Sequence, residues 1–283
     1  MTVAAEIGLT LARELRRNLR SAKGLVSALL FMLGGAGTLL VYSSVTHELA
    51  TVGGDIPAGA GDEVRRRALE ALYHDPATVQ HLLGAPPLLL FLHTATLFFL
   101  PVLCMLIGYD TLAGELQHRT LRFATVRAHR ESLVTGKFLG VWVAAGIMTL
   151  ALDMMAWAIT ISRGEASPAT TVAYGLQLWL ATMVFSAAFV GLTTFVSGLF
   201  RSPVLALLTT LAAAFFWWLL RHIVGMATLA PSVGWLANIT PGEWEPRLLS
   251  PDVLRSGGAA AALVALGLAG LAGACVVLRR RDV

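Results

Sequence analysis

The stretch that decides the fold reads Tyr109-Asp110-Thr111-Leu112-Ala113-Gly114-Glu115-Leu116-Gln117-His118-Arg119-Thr120-Leu121-Arg122, and it lies between two long apolar runs. It stays polar as far as Gly136-Lys137-Phe138, where the second apolar run begins. A charged side chain at the centre of a bilayer costs roughly 2.5–3.5 kcal/mol on insertion scales. This segment therefore lies in water beside a membrane, and the flanking runs cross the membrane.

The polar segment also has a helical pattern. Leu112, Leu116 and Phe123 recur at helical spacing, with Thr120 between them. This pattern predicts a short amphipathic helix that is offered to a partner. The alternative is a solvated loop whose arginines only fix the topology of the chain.

The composition places most of the chain in lipid. Of its 283 residues, 56% are hydrophobic and 13% are charged, whereas soluble domains contain roughly 25% charged residues. The net charge of +4 favours anionic lipid headgroups as a partner. No basic face outside the loops indicates binding of nucleic acid. We therefore expect a single all-α integral membrane domain over residues 1–283.

Six apolar runs have the length of about 20 residues that crosses a bilayer. We expect transmembrane helices at residues 25–46, 88–108, 138–161, 172–200, 204–220 and 257–278. Between and before them, the sequence predicts an N-terminal segment at 1–23, external segments at 47–87 and 223–255, and a cytoplasmic loop at 109–137.

Two of the polar segments carry further patterns. In residues 1–23 an apolar stripe, formed by Ile7, Leu11, Leu15 and Leu19, recurs every four residues beside a basic face. That pattern is typical of a helix in the headgroup plane, although a helix packed on protein would share it. Residues 47–87 favour an amphipathic helix on the outer face. Residues 223–255 contain glycine and proline breaks, so we expect a short broken or re-entrant segment there.

The basic residues fix the expected orientation. With the N-terminus inside, 14 of the 21 Lys and Arg residues fall in cytoplasmic segments and 7 fall outside. An excess of Lys and Arg on the cytoplasmic side is the usual signal for topology. The sequence therefore predicts a multi-pass protein with both termini in the cytoplasm.

The chain lacks the motifs of several enzymes. Gly136-Lys137 is followed by Phe138, and Glu131 stands where a nucleotide-binding loop would begin with Gly. We therefore expect no enzymatic activity, no cofactor in this chain and no metal site.

Four ionisable residues lie within or at the end of apolar runs: His93, Asp153, Arg221 and His222. Such residues usually face a bundle interior or a watery cavity. A proton or substrate path is one interpretation, and a hydrogen bond between helices is the other.

The polar loop resembles that of ABC type-2 transporter permeases. In that family an acidic residue precedes Gly-Thr-Leu, and a Pro-x-x-Arg and a Gly-Lys follow before the third membrane helix. Glu115, Arg119-Thr120-Leu121, Arg130 and Gly136-Lys137 match this pattern. Arg119 departs from the usual Gly and Ala128 from the usual Pro, which leaves the geometry of the local turn open.

The resemblance implies a function and partners. It implies the permease subunit of an exporter in a bacterial inner membrane, working with a second copy and with a separate ATPase subunit that binds ATP and Mg. The residues expected to couple the two subunits are Asp110, Leu112, Glu115, Leu116, Arg119, Thr120, Arg122, Phe123, Arg127, Arg130 and Lys137. The alternative is a component that transports nothing and transmits force to a periplasmic or extracellular partner.

The predicted topology can be tested by cysteine labelling. A cysteine introduced at Glu63 is expected to react with an impermeant reagent in intact cells, because residues 47–87 lie outside. A cysteine at Gln117 is expected to react only after the membrane is opened, and the parent chain is the control. Labelling of Gln117→Cys in intact cells would contradict the predicted orientation.

Overall fold

The computed structural model describes residues 2–52, 60–73, 75–120, 128–225, 235–236 and 238–281. Within these ranges the chain is helical and contains no strand. The helices are α1 Val3–Arg20, α2 Ala22–Val52, α3 Ala60–Leu72, α4 Pro76–Leu83, α5 Pro87–Gly108, α6 Ala113–Gln117, α7 Arg130–Ser162, α8 Pro168–Leu199, α9 Pro203–Gly225, α10 Pro241–Leu248 and α11 Val253–Arg280.

The all-α membrane fold is confirmed. Six of the described helices are long and apolar enough to cross a membrane, namely α2, α5, α7, α8, α9 and α11. They correspond one to one to the six runs expected from the sequence. Backbone groups within a bilayer must be satisfied internally, which helices do and open strands do not.

The helix that contains the third span begins before the predicted start of that span. Residues 130–137, assigned above to the cytoplasmic loop, form the first turns of α7. A helix of 33 residues is about 50 Å long, whereas the hydrocarbon core of a bilayer is about 30 Å thick. The charged start of α7 can therefore extend beyond the lipid while remaining helical, so the limit of hydropathy is not the limit of the helix.

Helices α5, α7 and α8 form the core of the bundle. The main hydrophobic cluster includes Leu100 of α5, Val141 and Ala144 of α7, and Ala188 of α8, all of which are buried. Much of the surface of α2, α9 and α11 is exposed in the single chain. Large apolar side chains such as Phe215 of α9 therefore face outward.

Glycine permits the closest helix crossing, between α8 and α11. A Cβ atom on Gly191 would lie closer than van der Waals contact to the backbone of Gly267, and one on Gly270 would do the same against Gly191. A Cβ on Gly267 would lie 2.6 Å from the carbonyl oxygen of Ala187. Small residues let two membrane helices meet backbone to backbone, which is favourable packing where no hydrophobic effect drives association.

The inter-helix segments gather at two opposite ends, as the topology requires. At one end, Arg130 donates hydrogen bonds to the carbonyl oxygens of Leu278 at 3.0 Å and Arg281 at 3.2 Å. At the other end, Arg255 pairs with Asp75 at 3.2 Å. Segments that the charge count assigns to the same side of the membrane therefore contact each other.

The end that the charge count places outside is built from short helices, and we call it the outer end. Arg65 of α3 donates hydrogen bonds to the carbonyl oxygens of Leu82 at 3.1 Å and of Ala85, so α3 folds onto the end of α4. In the segment at 223–255, helix α9 continues through Gly225, and α10 follows as a separate short helix. The broken character expected there is present in the described part, and entry into the bilayer stays a prediction.

Helix α1 forms as expected, but its buried face is polar. The side chains that it buries are Glu6, Glu14 and Asn18, and the two carboxylates reach the start of α7. The apolar stripe of Ile7, Leu11, Leu15 and Leu19 is half-buried, and its Leu15 and Leu19 pack against the main hydrophobic cluster. The sequence pattern therefore identified the helix and part of its contact surface but not its most buried side, and the position in the headgroup plane stays a prediction.

The crossing of α8 and α11 predicts the effect of a single methyl group. Gly191→Ala is expected to lower the free energy of unfolding by about 1–3 kcal/mol, because the new Cβ meets backbone that no rotamer change can move. Gly37→Ala is the matched control, because a Cβ there meets nothing within 4 Å. Thermal unfolding in detergent measures both variants. An equal melting temperature for Gly191→Ala and the parent would contradict the close crossing.

Candidate functional site

The centre of the site is a lysine buried among carboxylates. Lys137, in the second turn of α7, is only 2% exposed. Its Nζ donates to Glu14 Oε1 at 2.6 Å, to Glu115 Oε1 at 2.8 Å and to the carbonyl oxygen of Thr111 at 2.9 Å. A buried charge is tolerated only when it is paired and hydrogen-bonded. These contacts therefore tie α1, α6 and the turn before α6 to the start of α7.

A second set of charges extends the site to α2. Arg17 Nε lies 3.0 Å from Glu14 Oε2, and its Nη2 lies 3.6 Å from Asp110 Oδ1. Lys23 pairs with the same Asp110 oxygen and donates to the carbonyl oxygen of Ile107 at 3.0 Å. We call the six side chains Lys137, Glu14, Glu115, Arg17, Asp110 and Lys23 the charge network. It contains three cations and three carboxylates, so its charges balance.

Two glycines bring α1 close enough for this network. A Cβ on Gly136 would lie 2.5 Å from Thr10 Cβ, and one on Gly140 would lie 2.5 Å from Glu14 Cβ. The two glycines are four residues apart and therefore lie on one face of α7. Helix α1 fits against that face, and Glu14 reaches Lys137 from it.

A second carboxylate of α1 contacts the start of α7. The backbone N–H of His129, the N-cap residue, donates to Glu6 Oε2 at 3.0 Å, and His129 Nδ1 lies 3.1 Å from the same oxygen. The hydrogen bond from the His129 backbone lowers the pKa of Glu6 below its ordinary value. The carboxylate thus satisfies a free N–H at the helix N-terminus, where negative charge is favoured.

The turn before α6 is held by a serine of α8. Ser197 Oγ accepts from the backbone N–H groups of Leu112 and Ala113, each at 3.0 Å, and donates to the carbonyl oxygen of Tyr109 at 2.8 Å. Ser197 is fully buried. It caps α6 from outside the segment, so the segment is fixed to the bundle by backbone as well as by charge.

Two of the expected partner anchors are buried inside the chain. Leu112 and Leu116 form a small core with Leu133 and Val134 of α7 and with Leu278 of α11. Leu112 is fully buried and Leu116 is 9% exposed. Their interpretation as contacts offered to a partner is therefore wrong for this structure. The helical spacing reflects packing of the segment on its own bundle.

The exposed part of the segment is a polar turn. Gln117, His118, Arg119 and Thr120 are all exposed. Arg119 has a φ of 55°, the left-handed region that favours glycine. A left-handed residue here is compatible with the Gly that is usual at this position in the resembled family. Arg122, Phe123 and Arg127 lie outside the described residues.

The remaining expected residues lie elsewhere in the bundle. His93 of α5 is buried, and its Nδ1 lies 3.2 Å from Thr182 Oγ1 of α8, as in a hydrogen bond between helices. Asp153 of α7 is half-buried. His222 Nδ1 lies 2.9 Å from the carbonyl oxygen of Trp218, and Arg221 lines a cleft at the outer end. Hydrogen bonds connect none of these four residues to one another in the described ranges.

Sequence reasoning missed half of the charge network. Glu14 was not distinguished from its neighbours, and Arg17 and Lys23 were counted only as topology signals. One available signal was the spacing Gly136-Lys137 and Gly140, because two glycines on one helix face indicate a close neighbour. A lysine beside that face needs a carboxylate from the neighbouring helix.

The network predicts that removing Lys137 alone destabilises the chain more than removing it together with the charges of Glu14 and Glu115. Lys137→Met is expected to lower the free energy of unfolding by about 3–5 kcal/mol, because Glu115 then loses the cation with which it pairs and Glu14 keeps only Arg17. The neutral triple variant Glu14→Gln, Lys137→Met, Glu115→Gln is expected to recover most of that loss.

Thermal unfolding of the purified chain in detergent measures these variants. Arg67→Met is the matched control, because Arg67 pairs with Glu63 at 3.0 Å while 75% exposed, and such a pair contributes roughly 0–1 kcal/mol. A triple variant no more stable than Lys137→Met alone would contradict the assigned role of the network.

Comparison with known families agrees with this fold. No curated protein matches the chain significantly. The model of the family described as ABC-2 family transporter protein matches residues 10–250. This range includes α1 from its eighth residue, the charge network and all but the last span. The chain is therefore a member of the ABC-2 transporter family and a membrane-spanning permease component of an ABC transporter.

Proposed function

We propose that this permease works as an exporter in which a separate ATPase subunit pushes on the exposed turn at residues 117–120. The ATPase would bind ATP and Mg, and this chain would bind neither. The observation that carries the proposal is the charge network, which joins the base of that turn to α1, α2, α5 and α7 through buried and half-buried contacts. A load on the turn would therefore act on several helices together.

The contact surface of the turn is polar and exposed. Arg119 presents a guanidinium in a fixed left-handed turn, and Leu112 and Leu116 hold the turn from behind. Charged contacts at the edge of an interface set orientation and association rate, whereas a firmly held base transmits force. In this proposal Leu116 attaches the turn to the bundle and has no contact with the ATPase.

A second copy of the chain is part of the proposal. Helices α2 and α9 expose many apolar side chains, among them Leu29, Leu33, Phe215 and Trp218. Lipid covers such surfaces in a monomer, and a partner copy covers part of them in a dimer. We place the assembly in a bacterial inner membrane with both termini of this chain in the cytoplasm, because Lys and Arg are concentrated in the segments at that end.

The proposal predicts separable effects on binding and on turnover. Arg119→Glu is expected to reduce co-purification of the ATPase severalfold without changing the melting temperature, because Arg119 is exposed. The neutral triple variant of the network is expected to retain the ATPase but to lower ATP turnover in the complex, because the turn is less firmly held.

The measurements are pull-down from membranes with the tagged full chain, followed by phosphate release from the complexes obtained. Arg67→Glu, on the outer helix α3, is the control for a charge reversal at an exposed arginine. If both test variants keep normal co-purification and normal turnover, the turn has no role in coupling and the proposed mechanism fails.

A further inference from the structure

The outer end of the molecule contains a cleft that the proposed function does not use. It has a volume of about 870 Å³, within the range of roughly 300–1,000 Å³ typical of sites for small ligands. Four elements contribute to it: the start of α4, the last turns of α9, helix α10 and the start of α11. It lies at the end of the bundle opposite the charge network.

The cleft contains three arginines, and two of them are matched by carboxylates. Arg247 pairs with Glu243 at 2.7 Å and lies over the ring of Trp244. Arg255 pairs with Asp75 at 3.2 Å and with Asp252 at 3.7 Å. The paired carboxylates neutralise the charges of Arg247 and Arg255, so neither arginine attracts an anion strongly.

Arg221 is the unmatched cation of the cleft. Among the residues that the structure describes, no carboxylate lies at ion-pair distance from it. Glu245 of α10 interacts with it electrostatically: burial raises the pKa of that carboxyl to about 7, and the charge of Arg221 acts in the opposite direction. Burial therefore disfavours the charged form of Glu245, and Glu245 makes no ion pair with Arg221 in the described residues.

A glycine leaves room for the Arg221 side chain. A Cβ on Gly242, in the first turn of α10, would lie 2.7 Å from Arg221 Nη1 and 3.0 Å from its Cδ. The arginine side chain therefore packs directly against the backbone of α10. Packing on one side restricts the guanidinium, so it loses less conformational freedom when it binds an anion.

Apolar surface leads to the cleft from the membrane side. Leu254, which lines the cleft at the start of α11, is 86% exposed, and its neighbour Val253 is 81% exposed. On α9, exposed Phe215 and Trp218 precede Arg221 by one or two helical turns. An anion that carries an apolar tail fits this arrangement better than a fully hydrated anion.

We propose that the outer cleft binds the phosphate headgroup of an amphipathic anion, with Arg221 as the contacting cation and the exposed surfaces of α9 and α11 along its apolar tail. The site lies at the depth of the outer lipid headgroups in the expected topology. It binds one anionic phospholipid in preference to a zwitterionic one, because among the described residues no carboxylate forms an ion pair with Arg221.

The test uses the purified full chain in a neutral detergent, without an ATPase. The probes are dihexanoylphosphatidylglycerol, dihexanoylphosphatidylcholine and glycerol 3-phosphate, and the readout is the rise in melting temperature with probe concentration. The phosphatidylglycerol probe is expected to give a saturable rise and the phosphatidylcholine probe a much weaker one.

Three variants test the charge of Arg221, the placement of its guanidinium and the effect of a charge outside the cleft. Arg221→Gln is expected to weaken the apparent affinity for the phosphatidylglycerol probe about tenfold or more, since a charge-assisted hydrogen bond is lost. Gly242→Ala is expected to weaken it severalfold by displacing the guanidinium while keeping its charge. Arg66→Gln removes an exposed charge of α3 outside the cleft and is expected to leave the affinity unchanged.

The outcomes are distinct. Equal affinity in Arg221→Gln and the parent, or equal responses to the two phospholipids, would overturn the proposal. An Arg221-dependent response to glycerol 3-phosphate as strong as that to the lipid would keep the anion site and assign it to a soluble phosphate compound. Because no ATPase is present, none of these results depends on the exporter mechanism.

Discussion

The structure depends on the burial of one ammonium group, that of Lys137. A lysine that is this deeply buried is stable only when carboxylates pair with it. The two carboxylates come from α1 and from the segment after α5. This requirement brings two elements that are distant in sequence onto the start of α7. The network is then completed by Arg17, Asp110 and Lys23, which join the first span. One buried charge thus determines where four parts of the chain meet.

The same constraint gives α1 its unusual orientation. An amphipathic helix normally buries its apolar stripe, but α1 buries Glu6 and Glu14 and leaves its leucines half-buried. Each buried carboxylate has a specific partner at the start of α7, the His129 backbone or Lys137. Because removal of one partner leaves an uncompensated buried charge, loss of either member is expected to destabilise this interface.

The two ends of the bundle differ in how their charges are arranged. At the end that holds the charge network the charges are paired, the turn at 117–120 is the exposed part, and Ser197 and a small apolar core fix its base. At the opposite end, short helices surround a cleft in which Arg221 has no carboxylate at ion-pair distance among the residues that the structure describes. Between the two ends, spans meet through close glycine contacts such as Gly191 with Gly270.

Hydropathy alone determined the six spans, because about 20 apolar residues in a row have no other stable environment than lipid or a buried core. Charge counting assigned Arg130 and the end of α11 to the same side of the membrane. The structure agrees, because Arg130 donates hydrogen bonds to the carbonyl oxygens of Leu278 and Arg281. The position of the polar loop was also within reach of the sequence pattern, whereas the left-handed conformation of Arg119 was not.

Only the tertiary structure decided which faces are used. The spacing of Leu112 and Leu116 is the same for a helix that docks on a partner and for one that packs on its own bundle, and here the bundle takes both side chains. Likewise, the sequence of α1 has an apolar stripe and several charges, and nothing local selects between them. Partners for Lys137 come from residues 123 and 22 positions away. Pairing over such distances is set by the packing of helices in three dimensions, so a local pattern cannot contain it.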